Sequence, residues 1–336
     1  MDYLTFLDTY NLETLTDTVN HVPEIPSVLS RYFEKDYIET TRAFIDMQNE
    51  GVALVPDTPR SSAGPNESSS DKRSGVPITA AHLLQTDAVY ADDIQNERAF
   101  GTTSLTNVDM KVLKKISNMR RNIEATLEYH RVGAVCGKVL DADGSTVLYD
   151  LPKIFGVLEN GVQTINWPAS STGKNNPLLA KLDEITDAVE SAVAGNVTTG
   201  IVAIVGKDFW SYLTTNPFTR DAFNMWMARQ NGYGDIEKQM PFMYGGIEWI
   251  RYNKVVGGQT LVASDEAHVF PVGPGMLKHY FAPADYMDSV NRPGLEFYAR
   301  SEPGRMSRSI DIEVQSNPIT IHKFPEALFT IKGVAG

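Results

Sequence analysis

The chain has 336 residues, 42% of them hydrophobic and 21% charged, and carries a formal net charge of -12. These proportions are close to globular averages and exclude wholesale disorder and a fibrous protein, while the length allows two or three domains. So negative a surface repels phosphate backbones, which also excludes a protein that coats nucleic acid regardless of its sequence.

In chain order, residues 1–34 read as an arm. Leu4, Phe6, Leu7, Leu12 and Leu15 are scattered apolar positions, and VPEIP, Val22–Pro26, breaks any helix. The arm therefore needs another surface to pack on. Its acidic start lacks the basic and apolar pattern of a secretory signal. No run of about 18 apolar residues occurs anywhere, so no membrane span is expected.

Ser27–Pro56 and Val76–Ile94 are rich in β-branched and aromatic residues with rough alternation. Between them lies PDTPRSSAGPNESSSDKRSG, Pro56–Gly75, whose only aliphatic side chain is Ala63. Structureless stretches longer than about 12–15 residues are uncommon inside compact domains. The pattern predicts an extended hairpin over residues 35–96 with a long polar tip.

The clearest helix follows, with Leu105, Val108, Val112, Ile116, Met119, Ile123, Leu127, His130 and Ala134 spaced by three or four residues. Thr106 and Asp109 form a capping pair and Gly137 supplies a stop. A helix from about Asn107 to Cys136 would be roughly 45 Å long at about 1.5 Å per residue. It carries the one local reversal of charge, Lys111, Lys114, Lys115, Arg120 and Arg121. That cluster is either a solvated face or a surface turned toward an acidic neighbour, a second subunit or nucleic acid.

VLDADGSTVLYD, Val139–Asp150, predicts a hairpin turning at Asp143 and Gly144. Asn176 and Pro177 open a second helix through Leu178, Leu182, Ile185 and Val189 that stops at Gly195. GIVAIVG, Gly200–Gly206, reads as a buried strand entering the helical KDFWSYL. RSIDIEVQ, Arg308–Gln315, alternates strictly, with Ile310, Ile312 and Val314 on one face, and ITIHKF and ALFTI continue as half-exposed strands.

Chemical motifs are weak throughout. GIVAIVGKD has five residues between its glycines and Asp208 after the lysine, which does not match a phosphate-binding loop. Asp141, Asp143 and Gly144 resemble the opening of a calcium loop, but Pro152 occupies the place of the terminal glutamate. The histidines at 21, 82, 130, 268, 279 and 322 have no metal-binding spacing. No G-x-S-x-G elbow occurs. The single cysteine, Cys136, fits a reducing compartment and a place in the core. No catalytic residue, cofactor or metal is expected.

Four stretches, in this order, resemble a known family. SVLSRYF, Ser27–Phe33, is similar to its early leucine and paired aromatic; FIDMQNEGVALVP, Phe44–Pro56, to its strand with an aspartate and a closing proline. VGPGMLKHYFAPAD, Val272–Asp285, is similar to its turn leading to an aromatic and Ala-Pro-Ala. QSNPITIHKFP, Gln315–Pro325, is similar to its Gln-Ser-x-Pro turn. On these residues the chain resembles the tailed-phage major capsid proteins of the phage lambda capsid protein E family.

The resemblance implies an α+β fold of the Hong Kong 97 type. Its expected parts are an arm over 1–34, an extended hairpin loop over 35–96 and a peripheral domain with a spine helix over 97–165. An α/β axial domain over 166–291 and closing strands that return to the peripheral domain over 292–336 complete it. The implied protein is not an enzyme but a shell subunit. It forms hexamers and pentamers of an icosahedral head built in the host cytoplasm with scaffold, portal and, in some heads, decoration proteins. Double-stranded DNA is enclosed without sequence-specific binding, and no membrane is involved.

Within that reading the limbs Lys35–Pro56 and Val76–Ile94 lie across a neighbouring subunit, with Arg60, Lys72 and Arg73 at the tip making polar contacts. The basic residues of the spine helix face the interior. The alternatives are an encapsulin-like compartment, a tail or baseplate protein, and a cytosolic enzyme built on the α/β middle.

Overall fold

The computed structural model describes residues 12–21, 27–47, 74–94, 108–167, 176–193, 196–231, 241–256 and 258–335. In chain order the first elements are α1 (Leu12–His21), β1 (Glu34–Tyr37), β2 (Arg42–Met47), β3 (Ser74–Thr79), β4 (Leu83–Tyr90), α2 (Ala91–Ile94) and α3 (Val108–Val135). The middle holds β5 (Lys138–Leu140), β6 (Val147–Asp150), α4 (Leu151–Phe155), β7 (Gln163–Trp167), α5 (Pro177–Ala192), β8 (Gly200–Val205), α6 (Lys207–Thr215) and α7 (Arg220–Asn231). Then come β9 (Phe242–Tyr244), β10 (Ile247–Arg251), β11 (Val255–Val256), β12 (Gln259–Thr260), β13 (Glu266–Val272), β14 (Leu277–Phe281), β15 (Tyr298–Pro303), β16 (Ser309–Ser316), β17 (Pro318–His322) and β18 (Phe329–Ala335). Among the described residues no helix is long and apolar enough to cross a membrane.

The chain divides into two units, each discontinuous in sequence. The first comprises Met1–Ala43, Pro77–Arg131 and Lys278–Thr320. Its frame is the antiparallel sheet β15-β16-β4, in which β16 is central. The strict alternation of β16 has a direct outcome. Ile312 and Val314 enter a core with Val112, Ile116, Met119, Ile123 and Leu127 of α3 and with Leu15 and Val19 of α1. Burying each such side chain contributes about 1.5–3 kcal/mol, so this seam is a large part of what holds the unit together. The helical period of α3 and the two-residue period of β16 are thus the two halves of one interface.

The second unit comprises Phe44–Val76, Val132–Leu277 and Ile321–Gly336. It is built on a six-stranded mixed sheet in the order β7-β18-β13-β8-β10-β9. Every residue of β8 after Gly200 is buried, as its unbroken apolar run requires. Leu178, Leu182, Ile185 and Val189 of α5 pack with Phe209 and Leu213 of α6 and with Trp249 of β10 in one core. Asn176 caps α5 by accepting from the N–H groups of Leu178 and Leu179, both at 3.1 Å, and Pro177 follows it.

The long helix ends at Val135, one residue before the expected Cys136, and the expected start at Asn107 lies outside the described residues. Gly137 terminates it with φ of 87°, a left-handed conformation that costs glycine little. Gly133, inside the last turns, answers a different need: a Cβ there would stand 2.8 Å from the carbonyl oxygen of Lys138, so the helix and β5 can approach only over a bare backbone.

Three segment boundaries differ from the expected division. The hairpin does not run over 35–96, because β1 pairs in parallel with β14 and β4 pairs with β16 along its whole length, from Leu83↔Ser316 to Tyr90↔Ser309. A central strand such as β16 has two edges to satisfy, and β4 fills the second. Lys278–Asn291 belong to the first unit rather than to the axial segment. The closing strand β18 does not join the spine helix but lies between β7 and β13 in the sheet of the second unit. Single-strand patterns carry no partner information, and β18 reads equally well in either place.

Candidate assembly surfaces

Of the expected hairpin, β2 and β3 remain as a ribbon paired only with itself among the described residues. Ala43, Ile45 and Ile78 are buried, whereas Phe44 between the first two is 70% exposed. One face of the ribbon is therefore covered and the other presents an aromatic ring to solvent. Arg60, Lys72 and Arg73, with the rest of the tip, lie outside the described residues, as do the arm residues Leu4, Phe6 and Leu7 and the Val22–Pro26 break.

The structure separates the five basic residues of α3. Lys114 and Arg121 are exposed. Lys111 donates to the carbonyl of Asp93 at 2.9 Å. Lys115 donates to the carbonyl of Ala88 at 2.6 Å and pairs with the Asp87 carboxylate at 2.9 Å. That hydrogen bond holds the Asp87 carboxyl below the usual range. Arg120 does not belong to the face at all: its side chain is 2% exposed, paired with Glu124 at 2.7 Å, donating to the carbonyl of Val19, and lying 4.7 Å over the Phe297 ring. It sits on the core side of α3, one turn after Ile116, where helical geometry turns it inward.

A polar lock holds the corner where β16 meets β17. Gln315 is fully buried and its amide donates to Asp285 at 2.8 Å and to Glu313 at 3.5 Å. Asn317 donates to the carbonyl of Pro283 at 3.2 Å, and its Oδ1 accepts from Nδ1 of His82 at 2.8 Å. Tyr286 donates to Glu313 at 2.6 Å, and burial above all keeps its phenol raised and protonated. Pro283, Asp285, Gln315 and Asn317 belong to the Ala-Pro-Ala and Gln-Ser-x-Pro stretches, which the sequence marked only by likeness. Three consecutive polar residues, Gln315, Ser316 and Asn317, which end the alternation between β16 and β17, were the available signal.

Removing the amide should be felt in stability. Gln315→Leu is expected to lose about 1–3 kcal/mol, because two carboxylates lose a donor. Gln315→Glu should lose more at neutral pH than Leu does, and recover part of the difference on acidification. Urea unfolding of the two variants at two pH values measures both effects, and equal losses at both pH values would refute the lock.

The alternative motifs resolve into local structure. At the start of α6 the N–H groups of Asp208 and Phe209 both donate to the carbonyl of Ser264, at 2.8 and 2.9 Å, so that helix end is filled by the protein's own backbone. Asp143 spends its oxygens on Ser145 and Thr146 in the β5–β6 turn, which lowers its carboxyl far below the usual range. Cys136 has its thiol pushed up to about 12 by burial, with Glu266 adding to it. Among the described residues no three metal-binding side chains stand together.

The chain is 26% identical over 360 aligned residues to the major capsid protein of Salmonella phage Felix O1, covering 96% of each protein. It is also 26% identical over 275 residues to the major capsid protein of Pseudomonas phage KPP10, covering 76% of each. The putative capsid protein of a prophage of E. coli CFT073 superposes with a TM-score of 0.56 at 13% identity, over 96% of this chain and 99% of that one. A phage-related protein of Bordetella bronchiseptica RB50 gives 0.52 at 9% identity, over 96% and 97%. The fold is thus the α+β fold of tailed-phage capsid proteins. Residues 11–332, which include both sheets, α3, the β2–β3 ribbon and the lock, match the model of the phage major capsid protein E family, and the chain belongs to that family of structural shell proteins.

Proposed function

We propose that the chain builds the head shell of a tailed bacteriophage, forming hexamers and pentamers of an icosahedral lattice in the host cytoplasm and remaining in the virion. The observation that carries this is the β2–β3 ribbon. A lone two-stranded hairpin is marginal in water. This one also leaves Phe44 70% exposed, and a neighbouring copy supplies the missing cover. Ring-forming contacts of that kind join unlike surfaces of identical subunits.

Scaffold and portal proteins, and a decoration protein where the head has one, are the further partners in this reading. The charge of -12 suits an interior along which packaged DNA slides without adhering. Lys114 and Arg121 are the part of the α3 cluster left to face an acidic neighbour. The tip residues Arg60, Lys72 and Arg73 are assigned polar contacts on the next subunit. The work is done by packing, not by catalysis.

Electron microscopy of the concentrated protein tests the reading. Shells, or hexamers and pentamers, are expected. A monomer under all conditions, or tubes alone, would overturn it. Phe44→Asp should leave the monomer's stability within about 0.5 kcal/mol, as for other exposed sites, yet abolish shells. Deleting Ser61–Ser74 should likewise spare the monomer and weaken shells, and equally robust shells would remove the tip's role.

A further inference from the structure

The turn joining β15 to β16 breaks the usual turn chemistry. Met306 and Ser307 have φ of 61° and 56°, a left-handed pair for which short hairpins favour Asn-Gly. Neither residue is suited to that conformation, and Met306 is also 85% exposed, between exposed Arg305 and Arg308. The Met306 side chain, displayed on a strained backbone between two cations, buries almost nothing within the subunit. Local rules are broken in this way chiefly where another function is served.

On the outward face of the same sheet lies an open concavity of about 560 Å³, lined in part by Asp87, Glu302, Asp311, Glu313, Arg300 and Tyr286. Glu302 stands directly opposite Asp311 in the β15–β16 register, a like-charge pairing that destabilises a sheet. Arg300 is 3.7 Å from Glu302 and stacks on Tyr286 at 5.3 Å, and Lys115 answers Asp87. Negative charge remains in excess, and the floor beside Tyr286 and Ala88 offers apolar surface.

We infer that the Arg305–Arg308 turn of one copy seats in the Glu302–Asp311 concavity of a second copy, with Met306 on the floor and the two guanidinium groups against the carboxylates. The turn cannot fill its own concavity. The ladder stays closed up to Gly304, whose N–H donates to the carbonyl of Ser309 at 2.9 Å, so the turn begins beyond the last paired residues of the two strands. Both halves lie on one hairpin, so each subunit can give and receive, and the contact closes as a pair or a ring. The inference rests on the shell reading above, and adds the partner surface that this turn recognises.

Charge exchange tests it. Arg305→Glu with Arg308→Glu, and separately Glu302→Lys with Asp311→Lys, should each raise the protein concentration needed for assembly by about tenfold or more, since like charges then meet. The chain carrying all four changes should return to within about threefold of the wild type. Chains carrying either pair alone that assemble normally, or a chain with all four changes that assembles no better than either pair, would overturn the inference.

A mixture of Met306→Cys chains and Thr86→Cys chains supplies a second measurement. Thr86 lines the concavity, and its register partner Glu313 lies about 14 Å along the strand from the turn at about 3.4 Å per residue, beyond disulfide reach within one chain. Oxidised shells should therefore give disulfide dimers on a non-reducing gel. Well-formed shells without dimers would refute the turn's seat and leave the shell reading intact, whereas wild-type protein that never forms shells would remove both.

Discussion

Replacing Arg120 by alanine should destabilise the unassembled protein by about 3–5 kcal/mol, the loss usual when one member of a buried ion pair is removed. The change strips Glu124 of a guanidinium at 2.7 Å while the carboxylate stays 11% exposed. It also removes the donor that satisfies Val19, whose carbonyl lies in the last turn of α1 and has no partner within that helix. The stacked Phe297 ring loses its cation and part of its packing. Lys114→Ala and Arg121→Ala, on the exposed side of α3, should change stability by no more than about 0.5 kcal/mol. Arg120→Ala with Glu124→Ala should recover part of the loss, because the carboxylate that loses the guanidinium is removed with it. Denaturant unfolding of the four proteins decides the matter, and an Arg120→Ala protein as stable as Arg121→Ala would show the pair to be solvated.

That contrast shows what was legible in the sequence. Periodicity named the buried positions of α3 and β16 correctly because it reports which way a side chain turns relative to its own element. Five basic residues within eleven positions of α3 read as one face only if charge is taken to mean exposure. Arg120 lies four residues after Ile116 and four before Glu124, and its position on the apolar stripe outweighed its charge. Caps and stops such as Asn176 and Gly137 were readable for the same local reason. Partner choice was not: β4 reads as a hairpin limb and β18 as a return to the spine helix, because pairing depends on residues from 60 to 233 positions away. The Met306–Ser307 turn was also hidden, since only backbone angles reveal that the residues there do not suit the bend.

Acidification should destabilise the second unit well above the range in which carboxylates titrate. His322 has its tautomer fixed from both sides, with Nε2 donating to the carbonyl of Pro271 at 3.2 Å and Nδ1 accepting from the N–H of Phe324 at 3.1 Å. A proton on Nδ1 would set two donors against each other inside the core. Burial first of all lowers this imidazole to about 4, and burial likewise lowers His268 to about 4. Both folded values lie below the unfolded value near 6.5, so between about pH 6.5 and 4 the unfolded chain binds more protons. Stability is then complete above about pH 6.5, falls as pH falls, and loses nothing further from these groups below about 4. Each histidine contributes at most about 1.4 kcal/mol per pH unit, or roughly 3 kcal/mol across the window. All four tryptophans, at positions 167, 210, 226 and 249, lie in this unit, so their fluorescence reports its unfolding alone. His322→Gln can offer an amide N–H to Pro271 and an amide oxygen to Phe324 without titrating. It should therefore flatten the pH dependence by about half between pH 6.5 and 4.5, whatever it does to stability at pH 7.5. An unchanged slope would mean that His322 takes up its proton in the folded unit, and that the two hydrogen bonds do not hold it neutral.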